Sequence, residues 1–128
     1  MKTILRFATV GCTTTALDVL VFNLGVIAGL PALWAHLVSS SIILPLSFLG
    51  QRAAFRAHGP LQGQALRFAV VTGVGVFCFQ PVVLSEAMRA VAIAGLAQAN
   101  AAKGAAIGAG IIWNLALFRW FVFPPPPE

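Results

Sequence analysis

Arg6-Phe7-Ala8-Thr9-Val10-Gly11 opens an apolar run that continues to Leu30 and carries one charged residue, Asp18. A helix needs about 20 apolar residues to cross the hydrocarbon core of a bilayer, and this run is long enough. The same opening returns as Arg67-Phe68-Ala69-Val70-Val71-Thr72-Gly73. One extra residue, Thr72, separates the two copies. With that allowance the polar residue seven places past each glycine also corresponds, Asp18 after Gly11 and Gln80 after Gly73. The segments that follow end alike, with Arg52 ahead of Phe55 and Arg119 ahead of Phe123. Each repeating unit therefore holds two spans, and both copies enter the membrane from one side. That predicts parallel repeats, related by an axis along the membrane normal.

Working outward, the chain divides into four apolar segments. The expected architecture is an all-α membrane protein of four transmembrane helices, at about 7–30, 32–50, 68–88 and 103–123, in a single domain over 1–123. A polar segment from Gln51 to Arg67 carries the turn pair Gly59-Pro60. The tail Pro124-Pro125-Pro126-Pro127-Glu128 cannot be helical. Composition agrees with this division. Of 128 residues, 59% are hydrophobic and 9% charged, with a mean hydropathy of +0.93. A soluble domain carries about 25% charged residues, so this chain cannot cover a water-facing surface. Lys2 and Arg6 ahead of an apolar run resemble a signal peptide, but the run is too long and contains Asp18.

The basic residues set orientation. Lys2, Arg6, Arg52, Arg56, Arg67 and Arg119 fall on one side of a four-span chain, with terminal Glu128 as the only acid. Arg89 and Lys103 are expected on the other side, beside Glu86. Positive charge marks the cytoplasmic side, so both termini are expected there, in a multi-pass protein of the cytoplasmic (inner) membrane. These basic residues sit at segment ends without interleaved aromatics, which argues against nucleic-acid binding. Cys12 and Cys78 each lie inside an apolar run and read as buried reduced thiols, with neither a disulfide nor a metal site suggested.

Each segment presents a polar or small-residue stripe at helical spacing. Gly11, Thr14 or Thr15, Asp18 and Gly25 share a face of the first; His36, Ser40, Ser47 and Gln51 share one of the second. The third has Gly73 and Gln80, with Pro81 beside it. The fourth has Lys103, Gly110 and Asn114, and a Gly104–Gly108 pair. Lipid offers such groups no partner, so the stripes must face protein or a hydrated interior. Asp18 carries the most weight, since an ionised side chain in mid-bilayer costs roughly 2.5–3.5 kcal/mol on insertion scales. It serves either a ligand or proton site, or a structural hydrogen bond to Thr14, Thr15 or a serine of the second helix. His36 and His58 read as ordinary polar residues near the boundaries. Arg6, Arg52, Arg67 and Arg119 either orient the chain and touch phospholipid, or join as a phosphate site, for which the guanidinium fork is suited. No metal-ligand cluster, nucleophile–base pair or phosphate-binding glycine loop is present, so neither an enzyme nor a cofactor is expected.

The Arg-Phe opening, the glycine, the mid-helix polar residue, the basic and aromatic helix end, and the duplication of that unit together resemble the GtrA family. The likeness runs from about Leu5 to Phe123. In that family the even helices end in an Asn-Arg-x-x-x-Phe-like motif preceded by another asparagine. The fourth segment keeps Asn114, Arg119 and Phe123, with Phe118 in place of the second asparagine. The second segment, Ser47 to Phe55, keeps Arg52 but neither asparagine. The resemblance implies translocation of a polyprenyl-phosphate-linked sugar across the cytoplasmic membrane for cell-surface polysaccharide or glycolipid synthesis. Asp18, Gln80 and Asn114 would then face the sugar, and Arg6, Arg52, Arg67 and Arg119 the phosphate. It also implies membrane lipid, a homo-oligomer and a glycosyltransferase as partners. The alternatives are a non-catalytic anchor of a glycosyltransferase and a small multidrug-type exporter, against which the basic rim argues.

Overall fold

The computed structural model describes residues 2–57 and 59–123, apart from the side chains of Thr3, Ile4, Arg119 and Trp120. His58 and the 124–128 tail lie outside the described residues. The described residues are helical apart from short connections, with no strand among them. α1 runs Lys2–Ile27, α2 Ala32–Ala54, α3 Leu61–Val74, α4 Gln80–Ala90 and α5 Leu96–Leu117. A π-helical segment, Gly75–Phe79, joins α3 to α4, and a second, Phe118–Val122, extends α5. Three stretches are long and apolar enough to cross a membrane: Leu5–Ile27, Ala32–Ala54 and Leu61–Ala90.

Two helices start earlier than their hydropathy indicates. α3 begins at Leu61 rather than Phe68, directly after Pro60 at its N-cap position. The leading turn is polar yet stays helical, with Gln64 buried against the bundle. α5 begins at Leu96 rather than 103, because Gln98, Asn100 and Lys103 all find partners inside the fold. The Gln98 amide donates to the carbonyls of Met88 at 2.6 Å and Val91 at 3.3 Å, which terminates α4. Asn100 and Asn23 exchange amide hydrogen bonds of 2.7 and 2.9 Å across the α1–α5 contact. These polar groups keep α5 off the set of apolar stretches, while a stripe of Ala99, Ala102, Lys103, Ala106 and Gly110 buries one of its faces against the bundle.

The distribution of side chains is that of a protein in lipid. Ile112, Ile27, Val82, Leu49, Leu24 and Ile42 are exposed, whereas His36, Ser39, Lys103 and Gln51 are buried. Backbone and side-chain polar groups have no partner in hydrocarbon, so they collect inside and the apolar side chains face out. Cys12 and Cys78 are exposed free thiols, not buried as their apolar surroundings indicated.

α1 lies along α2, and glycine allows the approach at both ends. A Cβ added to Gly50 would stand 2.6 Å from Val10 Cγ1, and one added to Gly25 would stand 3.2 Å from the Ala35 Cβ. At the end where α1 begins, Phe48, Phe68, Phe118, Val122 and Phe123 form a buried knot, with Phe7 and Phe55 packed on it. Ring contacts run Phe7–Phe55–Phe123–Phe48–Phe68–Phe118, with centroids 5.1 to 6.4 Å apart. At the opposite end Phe22 packs on Ala35 and Ala99, and Leu84 on Ala102 and Ala106.

The third helical stretch carries one residue more than the first between its arginine and its polar residue: 80 − 67 = 13 against 18 − 6 = 12. A π turn holds one extra residue and lets the flanking turns recover helical register. The Gly75–Phe79 segment lies within that interval. Its Gly75 admits the Trp113 ring, whose Cδ1 would come 3.1 Å from an added Cβ, and the indole N–H donates to the Val71 carbonyl at 2.9 Å.

Candidate functional site

α1, α2, the π segment with the head of α4, and α5 enclose a cavity of about 510 Å³. Apolar side chains form most of its wall, closed towards the aromatic knot by Phe7 and Phe118. Its polar lining includes Asp18, Gln51, Thr72, Gln80 and Asn114. The structure thus brings Asp18, Gln80 and Asn114 to one space from three different helices. Gly110 makes room for the Gln80 amide, which occupies the volume that a Cβ at position 110 would need.

Three polar atoms here are buried without a hydrogen-bond partner among the described residues: Gln51 Oε1, Thr72 Oγ1 and Asn114 Oδ1. A buried acceptor without a donor costs roughly 1–3 kcal/mol, so such atoms are rare unless something else satisfies them. Two of the three are amide oxygens, and Asp18 adds a carboxylate.

Asp18 has a second neighbour that the sequence reading did not identify. Its Oδ2 lies 2.7 Å from Lys103 Nζ, with the ammonium buried and the carboxylate 14% exposed toward the cavity. Lys103 Nζ also donates to His36 Nδ1 at 3.0 Å and Ser39 Oγ at 3.3 Å, and sits 5.2 Å from the Phe22 ring centroid. An ammonium has three N–H donors and no acceptor, so all three are used and His36 must keep its proton on Nε2. Ser40 Oγ donates to Asp18 Oδ1 at a longer 3.4 Å.

The expectations for these residues are corrected accordingly. Lys103 is not an outer-side charge beside Arg89 but an interior cation two turns into α5. His36, in the first turns of α2, is fully buried against the other helices. The available signal was an imbalance: one acid in an apolar run implies a base with no solvent, and Lys103 is the basic residue set among alanines and glycines.

The described arginine side chains do not join the cavity. Arg52 Nη1 donates to Gln64 Oε1 and Nη2 to the Gly59 carbonyl at 3.2 Å, clamping the α2–α3 connection. Arg67 Nη1 donates to the Phe121 carbonyl at 3.3 Å, with its guanidinium carbon 5.7 Å from the Phe121 ring centroid. Arg6 is half-buried on the first turns of α1. Arg119 belongs by its backbone to the π segment after α5, and its side chain lies outside the described residues. Among the described residues no group of three or more His, Cys, Asp or Glu side chains could hold a metal ion.

Comparison with known proteins gives one match. No curated protein matches the chain, and no solved structure does. A family model described as GtrA/DPMS, transmembrane domain, matches residues 6–123, which covers the whole cavity lining and the described helices apart from the first residues of α1. Apolar outward faces, several helices of membrane-spanning length and that match agree on a multi-pass membrane protein, and the chain belongs to the GtrA/DPMS transmembrane domain family.

Proposed function

We propose that this protein moves a polyprenyl-phosphate-linked sugar across the cytoplasmic membrane in cell-surface polysaccharide or glycolipid synthesis. The observation that carries this reading is the cavity with its unpartnered Gln51, Thr72 and Asn114 atoms. Sugar hydroxyls donate what those atoms lack, and the cavity volume suits one or two sugar rings, at the small end of ligand pockets. The polyprenyl chain stays in lipid, and the phosphate stays at the headgroup level, since among the described residues the cavity wall has a carboxylate and no free cation. The role is non-enzymatic.

In this proposal α5 is the fourth span, both termini are cytoplasmic, and α1–α2 and α3–α5 are parallel repeats. The Leu61–Ala90 stretch supports the topology, since 30 residues extend about 45 Å as a helix, long enough to separate Arg56 from Arg89 by the thickness of a membrane. Single-cysteine variants at positions 56 and 89, made in a Cys12→Ser, Cys78→Ser background, should label from opposite sides of intact membranes. Labelling of both from one side rules the arrangement out.

The transport test uses proteoliposomes and a fluorescent polyprenyl-phosphate sugar. Asn114→Leu removes the unpaired amide oxygen at little change in volume. It should slow translocation roughly three- to ten-fold, the loss of about one hydrogen bond, with helicity unchanged. If wild-type protein moves no lipid-linked sugar, while co-purifying with and activating a glycosyltransferase, the anchor role replaces this proposal.

A further inference from the structure

α1 and α2 end in the same backbone motif with different residues at its strained position. After α1, the Gly29 N–H bonds to the Val26 carbonyl and the Leu30 N–H to the Gly25 carbonyl, each at 3.0 Å. After α2, the Arg56 N–H bonds to the Ala53 carbonyl and the Ala57 N–H to the Arg52 carbonyl, each at 3.1 Å. Both are Schellman closures, which put the residue past the cap in the left-handed region. Gly29 takes φ +95 there without penalty, but Arg56 takes φ +48 with a Cβ that crowds the backbone. Arg56 is the only non-glycine with positive φ among the described residues, although the chain uses Gly29, Gly59 and Gly95 for that conformation elsewhere.

Arg56 and Arg52 line one open concavity together with Leu49, Ala53 and Ala57. Arg52 is held in place by Gln64 and the Gly59 carbonyl, which use two of its five N–H donors and leave three. The Arg56 side chain is exposed and makes no hydrogen bond or ion pair among the described residues. The described carboxylates are engaged elsewhere, Asp18 with Lys103 and Glu86 with Arg89. Below the two arginines, Leu49, Leu46 and Ile42 are exposed at helical spacing down the outer face of α2. A paired cationic head above an apolar stripe matches a lipid: anionic phosphate above, hydrocarbon chain below.

We propose that Arg52 and Arg56 form a lipid-phosphate site on the outer face of α2. The phosphate accepts hydrogen bonds from both guanidinium groups, and the chain lies along Leu49, Leu46 and Ile42. The site lies outside the central cavity and stands whether or not the translocation reading does. An anionic phospholipid and a polyprenyl phosphate present the same chemistry, and the experiment separates them.

Native mass spectrometry of the purified protein in detergent would be run with phosphatidylglycerol, a polyprenyl phosphate, phosphatidylcholine or inorganic phosphate. Wild type should retain phosphatidylglycerol, the polyprenyl phosphate or both in preference to phosphatidylcholine and free phosphate. Retention of phosphatidylglycerol identifies a general leaflet lipid, and retention of the polyprenyl phosphate alone identifies a carrier lipid. Arg56→Gly should weaken that retention about ten-fold, the loss of one charge-assisted contact, while leaving the thermal midpoint unchanged or higher. Arg56→Asn, which also tolerates the left-handed conformation, should lose the lipid equally. Retention unchanged in either variant overturns the proposal, as does inorganic phosphate binding as well as lipid. A lowered midpoint for Arg56→Gly overturns it too, because the arginine would then be serving the turn.

Discussion

Asp18→Asn is expected to destabilise the protein by about 3–5 kcal/mol, the range for removing one partner of a buried ion pair. The substitution keeps size and hydrogen bonding, so by shape alone it should be mild. What it removes is the only carboxylate within reach of Lys103, whose ammonium is 1% exposed. His36 and Ser39 would still accept hydrogen bonds but bring no negative charge. Lys103→Met should cost less, because the carboxylate left behind faces the cavity at 14% exposure and can be solvated there. The double variant Asp18→Leu, Lys103→Met should recover most of the loss, since a buried pair replaced by apolar groups of similar volume is often neutral. Unfolding midpoints of the four proteins in one detergent would check this. If Asp18→Asn is as stable as wild type, the pair does not hold α1, α2 and α5 together. The same variant bears on transport: a defect seen only at lowered stability reports the scaffold, not the site.

Phe68→Ala should cost about 3–5 kcal/mol, while Phe77→Ala should change stability by less than about 1 kcal/mol. Phe68 is 1% exposed and touches Phe48 and Phe118, with centroids 5.1 and 5.2 Å away. Phe77 is 50% exposed on the outward surface of the π segment. In water, burial from solvent would add to both comparisons. In a bilayer the surroundings are as apolar as the side chain, so the outward phenylalanine loses little and the inward one loses packing that lipid cannot replace. Phe68 ties α3 to the ends of α2 and α5, so its loss should also loosen the knot that closes the cavity. Denaturation in lipid nanodiscs would compare the two, and equal costs would mean that the knot is not a packed core.

The membrane class, the helical character and the family were legible in the sequence because they depend on local quantities. Hydropathy summed over about 20 residues, spacing along one helix, and a duplicated Arg-Phe opening all survive without knowledge of what packs where. Asp18 could be singled out for the same reason, as a charge where solvent is absent. Its partner could not be found that way. Lys103 lies 85 residues away, 103 − 18, and read locally its charge, with Arg89 and Glu86, marked the outer side of the membrane. Only the packing of α5 against α1 and α2 turned Lys103 and Asn100 into interior contacts, with Asp18, His36, Ser39 and Asn23 as their partners. The arginines show the converse. Their recurrence suggested a shared phosphate site, yet packing directs Arg52 to the α2–α3 connection and Arg67 to the Phe121 carbonyl. A polar residue in an apolar chain is ambiguous by itself, since it can end a helix at the headgroups or bury itself against another helix. The energy that decides between them belongs to the group across the interface, which one-dimensional sequence does not locate.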